Sequence, residues 1–202
     1  MTPRPRGRPR NYDPDTALMR ALDAFWETGF AATSLDKLVA ATGMNRPSLY
    51  AAFGDKKSIY LMALSRFSDQ LGSALGGALL NDGPVADALT AYLSTALDTY
   101  VTDGGRQRGC FAICTAVVEA PSDPDIKSAL ADVIKRIDGA IELRLRRAKT
   151  EGELPQSADP AALARLFGAA QHSLAVRARA GIARRDLDLL ARDAVRVILP
   201  PP

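Results

Sequence analysis

Side chains able to do covalent or acid–base chemistry are few in this chain, and they are scattered. There is one histidine, His172, and there are two cysteines, Cys110 and Cys114. His172 shares a helical stretch with Leu166, Phe167 and Val176 and has no identifiable acid or nucleophile beside it, so it reads as a core or interface histidine. Cys110 and Cys114 stand at i and i+4, on one face of a helix; this is not CxxC spacing, and no βαβ pattern surrounds them. Cys110 follows Gly109 at the expected start of a helix, with Arg106 and Arg108 just before it. A helix N-terminus and nearby guanidinium groups both favour thiolate over thiol. The sequence therefore predicts a lowered Cys110 pKa and a candidate thiol sensor with Cys114 as resolving partner. The plainer reading is two small buried hydrophobes. No P-loop, dinucleotide fingerprint or zinc-ligand spacing occurs, so no cofactor, no metal site and no enzymatic activity are expected.

A different chemistry gathers at the front of the chain. Residues 1–60 hold nine Lys and Arg against six Asp and Glu, while residues 61–202 hold seventeen of each, so the whole formal charge of +3 lies in the first sixty. Arg4, Arg6, Arg8 and Arg10 are four of those nine positive charges. A basic front on a balanced body suits a polyanion at one end and something else at the other. No apolar run reaches the length of a membrane span, and no apolar segment follows the N-terminal arginines as in a secretory signal. Two cysteines make no disulfide framework, which favours a reducing cytoplasm.

The elements that must position these groups read as helices throughout. Asp13-Pro14 opens a helix carrying Leu18, Ala21, Leu22, Phe25 and Trp26 on one face, and Gly29 stops it. Thr33-Ser34-Leu35-Asp36 reads as a capping box for a short helix ended by Gly43. Asn45 caps another, with Leu49 and Phe53 turned inward and Pro47 tolerated in the first turn. A long helix then runs from Lys56 towards Leu80. Further helices are expected over 85–103, 110–120, from Asp123-Pro124 to about Lys149, from Asp159-Pro160 to Arg179, and from Asp186 to the closing prolines. The fold class is all-α, with about nine helices and no sheet.

The two short helices around Gly43 have the length and punctuation of a helix-turn-helix, whose second helix enters the DNA major groove. With Leu49 and Phe53 inward, Arg46, Pro47, Tyr50 and Ala51 face out. Arg46 can donate to guanine or phosphate, and Tyr50 can reach the backbone or a thymine methyl. Thr33 and Ser34 at one helix start, and Lys56 at another, add donors where helix dipoles favour phosphate.

The run Gly29-Phe30-Ala31-Ala32-Thr33-Ser34-Leu35, with Gly43-Met44-Asn45-Arg46-Pro47-Ser48-Leu49-Tyr50-Ala51-Ala52-Phe53-Gly54-Asp55-Lys56-Lys57-Ser58-Ile59, resembles the DNA-binding domain of the TetR/AcrR family of bacterial transcriptional repressors, over about residues 11–60. The resemblance implies a homodimer on a double-stranded, palindromic operator, released when a small molecule in the helical body shifts the spacing of the recognition helices. By position, Thr33, Arg46, Ser48, Tyr50 and Lys56 match DNA-contacting positions of the family. Pro47 stands where a small residue, often Gly, is common, and Ala51 and Ala52 replace larger side chains, so contacts at 51 and 52 are not carried over. Base readout then leans on Arg46, Tyr50 and the arm. Pro5-Arg6-Gly7-Arg8-Pro9 is also similar to an AT-hook core, in which Arg6 and Arg8 would enter a narrow A·T-rich minor groove.

The expected plan is a basic arm over 1–12, a helix-turn-helix domain over 13–57, and an effector-binding and dimerisation domain over 58–202. Phe67, Tyr92, Leu93, Ala96, Tyr100, Phe111, Cys114, Thr115 and Val118 are the candidate pocket lining, an apolar wall with a few hydroxyls suited to a small hydrophobic effector. By family architecture the last two helices pair across the dimer, through Leu163, Leu166, Phe167, Ala170, Leu174, Leu190, Ala194 and Val197. Two other functions fit part of the pattern: a thiol-based redox or electrophile sensor, and a non-specific architectural DNA binder. The second leaves the neutral body without a task.

Overall fold

The computed structural model describes residues 13–102 and 104–199, most of them in eight α-helices. The chain divides into two compact units between Ala63 and Leu64, a point inside the fourth helix.

The first unit holds α1 (Pro14–Ala32), α2 (Leu35–Thr42), α3 (Arg46–Phe53) and the start of α4 (Lys56–Leu79). Each helix begins on a side chain that accepts from an otherwise unpaired backbone N–H. Asp13 accepts from Thr16 N at 3.1 Å, Ser34 from Lys37 N at 3.2 Å, Asn45 from Ser48 N at 2.9 Å and Asp55 from Ser58 N at 2.7 Å. Gly29, at φ 79°, breaks α1 as the sequence predicts, but one more helical turn follows before Thr33. Gly43 sits left-handed at φ 69° and ends α2, a conformation that costs a side chain about 1–2 kcal/mol. The core is Leu22, Phe25, Leu38, Leu49, Phe53, Ile59 and Tyr60, all buried, with the Tyr60 ring edge-on to Phe25 at 5.2 Å. Ile59 and Tyr60 belong to this core, in the six residues of α4 past the 57/58 boundary drawn from the sequence.

The second unit holds the rest of α4, then α5 (Val85–Tyr100), α6 (Pro124–Thr150), α7 (Pro160–Arg179) and α8 (Arg184–Ile198). Here α7 packs on α5, α6 and α8. Asp123 and Asp159 cap α6 and α7, each ahead of a proline. No local side chain caps α5. Its Val85 N–H donates instead to Glu153 at 2.6 Å, and Arg144, almost fully buried, pairs with the same carboxylate and donates to Gly83 O at 2.7 Å.

Two expectations fail in this unit. The fifth helix stops at Tyr100, not 103, and a two-residue antiparallel ribbon follows, β1 (Val101–Thr102) against β2 (Arg106–Gln107). β-branched Val101 and Thr102 suit extended backbone, and Gly104 and Gly105, at φ 89° and 76°, make the turn. The expected helix over 110–120 is a π-helical segment, Ala112–Ala116, that dissolves into turns. It follows Gly109, φ 65°, where a Cβ would lie 2.4 Å from the Ala175 carbonyl oxygen of α7, so the chain's approach to α7 requires glycine.

Candidate nucleic-acid interface and ligand cavity

The turn between α2 and α3 is held from inside. Thr42 donates its hydroxyl to Leu38 O at 2.7 Å and accepts from Met44 N at 3.3 Å, fixing the exit of α2. With Leu49 and Phe53 anchored in the core, α3 turns Arg46, Pro47, Tyr50 and Ala51 outward, and Tyr50 is 42% exposed. Ser48, half-buried, gives its N–H to the Asn45 cap. Ser34 is exposed, with its oxygen engaged at the start of α2.

Three of the expected DNA donors have partners within their own unit. Thr33 is fully buried, and its hydroxyl donates to Gly29 O at 2.6 Å and lies 2.8 Å from Thr28 Oγ1. It ties α1 to the start of α2 and presents no side chain to a groove. Lys56 turns back on its own unit: Nζ donates to Ala31 O at 3.2 Å and sits 4.5 Å over the Phe30 ring. Arg46 pairs with Asp36 of α2 at 2.6 Å in an exposed bridge, and that carboxylate raises the guanidinium pKa further. Local spacing does not reveal Asp36 as a partner, because it lies ten residues from Arg46 in another helix. Arg6 and Arg8 lie outside the described residues.

In the second unit a cavity of about 360 Å³ opens between α4, α5 and α6. Two of the expected lining residues, Phe67 and Tyr92, line it; the rest of the wall is α4 from Ser68 to Leu79 and α6 from Val133 to Ala140. Leu93, Ala96, Tyr100, Phe111 and Thr115 are fully buried core instead. Val118 is 71% exposed, because the wide π turn ahead of it rotates the chain off the face that α-helical spacing assigns.

Behind the cavity wall runs a buried polar chain. The Tyr92 hydroxyl donates to Gln171 Oε1 at 2.9 Å, and Gln171 Nε2 donates to the Tyr100 oxygen at 3.1 Å. Burial holds both phenols above their ordinary pKa, so both stay neutral. Cys110 adjoins Tyr100 and is itself buried. The N–H groups of Ala112 and Ile113 favour its thiolate, as the sequence argument anticipates, but burial outweighs them and pushes the thiol up from 9.0 to about 11. Cys114 is half-buried, lies 3.8 Å from Ala175 O and is also raised, chiefly by burial, with Arg179 opposing. Cys110 is therefore raised where the sequence predicts it lowered, which removes the ground on which the sequence builds a thiol sensor. His172 is held below its ordinary pKa by burial, with Asp138 opposing, and its Nε2 is buried without a hydrogen-bond partner.

Of the expected dimer residues, Phe167 and Leu174 are buried in the chain's own core. Leu166 and Val197 are 60% and 78% exposed, Leu163, Ala170, Leu190 and Ala194 are half-buried, and Val176 and Leu189 add exposed apolar surface on the same two helices. Among the described residues no cluster could hold a metal ion, and no helix is long and apolar enough to cross a membrane.

Comparison with known proteins decides the ancestry. The family model described as "Bacterial regulatory proteins, tetR family" matches residues 18–63, and that described as "Tetracyclin repressor-like, C-terminal domain" matches residues 86–193. The chain belongs to the TetR family. By family it is a DNA-binding transcriptional repressor with an N-terminal helix-turn-helix, and not an enzyme. It is 29% identical over 192 residues to the HTH-type transcriptional repressor ComR of Escherichia coli K12, covering 95% of this chain and 91% of ComR. It is 30% identical over 169 residues to the HTH-type transcriptional regulator YezE of Bacillus subtilis 168, covering 83% and 87%. Among solved structures, a cysteine mutant of the TetR family regulator CifR, complexed with 26-base-pair operator DNA, superposes with a TM-score of 0.87 at 30% identity, covering 94% of this chain and 98% of CifR. The TetR assignment also accounts for the all-α fold.

Proposed function

We propose that this TetR-family chain is a cytoplasmic, ligand-released repressor that binds a palindromic operator as a homodimer. The outward face of α3 carries the reading: Arg46, Pro47, Tyr50 and Ala51 sit on a helix of two turns whose other face is pinned by Leu49 and Phe53. A rigid helix with a donor and an aromatic hydroxyl on its free face suits base-edge and phosphate contacts in a major groove. The likeness to CifR in its operator complex supports the same placement. Twofold symmetry would place two such helices on symmetric half-sites, hence a palindrome. Exposed Leu166, Val176, Leu189 and Val197 on α7 and α8 support a dimer through those helices, since apolar side chains grouped on neighbouring helices are costly to leave in water. The cavity between α4, α5 and α6 is the effector site in this reading, and the arm over 1–12 adds minor-groove contacts through Arg6 and Arg8.

The test is a gel shift with DNA from the chain's own promoter region, alongside sedimentation. A dimer that binds one palindrome at least about a thousandfold tighter than random DNA supports the reading. Equal affinity for both DNAs, or a monomer on the DNA, overturns it. Deleting residues 1–10 should flatten the log–log salt dependence by about 0.9 for each phosphate that the arm neutralises.

A further inference from the structure

The chemistry of the cavity wall narrows what it can hold. Phe67, Leu71, Leu75, Val133 and Ile137 make most of it apolar. The room comes from side chains that are missing: Gly72 and Gly76, one helical turn apart on α4, both line the cavity, and a Cβ added to either meets no atom within 4 Å. Among the described residues, the charged groups on the lining are Asp69 and Arg136, bonded to each other at 2.9 Å with both side chains more than half exposed. Their charges cancel. An organic anion entering here would leave water, meet a guanidinium already paired with Asp69, and face that carboxylate. A cation would meet the reverse arrangement. Either ion loses hydration without a net countercharge.

The hydroxyls carry a second restriction. Ser68 donates to Leu64 O at 2.8 Å, Ser73 donates to Asp69 O at 2.8 Å, and Tyr92 donates to Gln171 at 2.9 Å. All three hydrogens are committed within the protein; the Tyr92 hydroxyl lies in the buried chain behind the wall, while the Ser68 and Ser73 oxygens keep accepting capacity. The wall therefore offers acceptors, and a ligand that brings its own donor is matched.

From these observations we infer that the cavity takes an uncharged, mostly apolar molecule ending in a hydrogen-bond donor, such as an aliphatic alcohol, and discriminates against ketones, carboxylates and ammonium ions of the same length. This rests on the reading of the chain as ligand-responsive, but it is tested by binding alone. At ~30 Å³ per water-sized unit the volume holds about a dozen such units, roughly the bulk of a ten-carbon chain with a polar end.

The experiment is calorimetric titration of the full-length protein at pH 7 with n-decanol, 2-decanone, decanoate and decylammonium, each below its aggregation concentration. Decanol should bind tightest, the ketone about fivefold to tenfold weaker, and both ions weaker again by about tenfold or more. Gly76→Leu and Gly72→Leu fill the space with a better helix former, so both should keep their helicity and lose decanol binding. Decanoate or decylammonium binding as tightly as decanol, no decanol binding at all, or unchanged decanol binding in both glycine variants overturns the inference. Decanol that binds, is blocked by Gly76→Leu and yet never releases DNA upholds the ligand class and overturns ligand-released repression instead.

Discussion

The two units of this chain put their working parts in opposite places. In the helix-turn-helix, function belongs to side chains that point out, and a filled core behind them holds the angle. In the body, the function we propose belongs to space, and the side chains around it are tied to one another. Substitutions should therefore separate cleanly: outward residues of α3 are dispensable for folding, while residues behind the cavity are not.

The largest expected effect tests the filled core. Phe53→Ala removes a ring from a buried site and should cost about 3–5 kcal/mol, enough to unfold so small a unit, seen as lost helicity in circular dichroism together with lost DNA binding. Gln171→Leu tests the other half. It strips Tyr92 of its acceptor and Tyr100 of one donor, so the buried Tyr92 hydroxyl is left unpaired at about 1–3 kcal/mol, while Tyr100 keeps its hydrogen bond with Cys110. Thermal unfolding should show the loss, and adding Tyr92→Phe should restore part of it. If Gln171→Leu is neutral, the polar chain contributes nothing to stability.

Tyr50→Ala should lower operator affinity by about tenfold or more while the melting temperature holds, because the side chain is exposed on the outward face of α3. A fall in melting temperature would mean that α3 is not an independent platform. Cys110 gives a pH signature of the body. Its folded pKa is raised, so between 9.0 and about 11 the unfolded thiol has ionised while the folded one keeps its proton. Stability from this group is complete below pH 9.0 and is lost as pH rises towards 11. Iodoacetamide should accordingly leave Cys110 unmodified at about pH 8 in the native protein and label it on unfolding. The smallest effect is Asp36→Asn, which frees Arg46 from an exposed bridge. Stability should not change measurably, and operator binding should tighten a few-fold as a carboxylate leaves the DNA side.

What the sequence disclosed, and what it hid, follows the range of the interactions. Helix starts were legible at Asp13, Asn45, Asp123 and Asp159 because a cap and its N–H lie within three residues, whereas α2 starts on Ser34 and not on the Thr33 of the expected capping box. The inward turn of Leu49 and Phe53 was legible for the same reason, as a spacing of four on one helix. Glu153 capping α5 from 68 residues away was not, nor was Gln171 joining Tyr92 to Tyr100. Cys110 failed in an instructive way. The local N–H groups act as its neighbours suggested, but the depth of its burial beside Tyr100 is a tertiary fact. Thr33 was chosen by family position, yet its hydroxyl is engaged inside the unit. Little of the cavity was legible: Phe67 and Tyr92 announce themselves by size, while Gly72 and Gly76 contribute by absence, and a search for lining side chains passes over them.

Those glycines have a consequence in time as well as in volume. Gly72, Gly76 and Gly77 fall within six residues of α4, each costing a helix roughly 1 kcal/mol against alanine. The second half of α4 should therefore open more often than its first half, and its backbone amides should exchange with deuterated water well ahead of those around Ile59 and Tyr60. A molecule seated against this stretch would be bound by a wall that is itself intermittently melting, and its first detectable effect would be to slow that exchange.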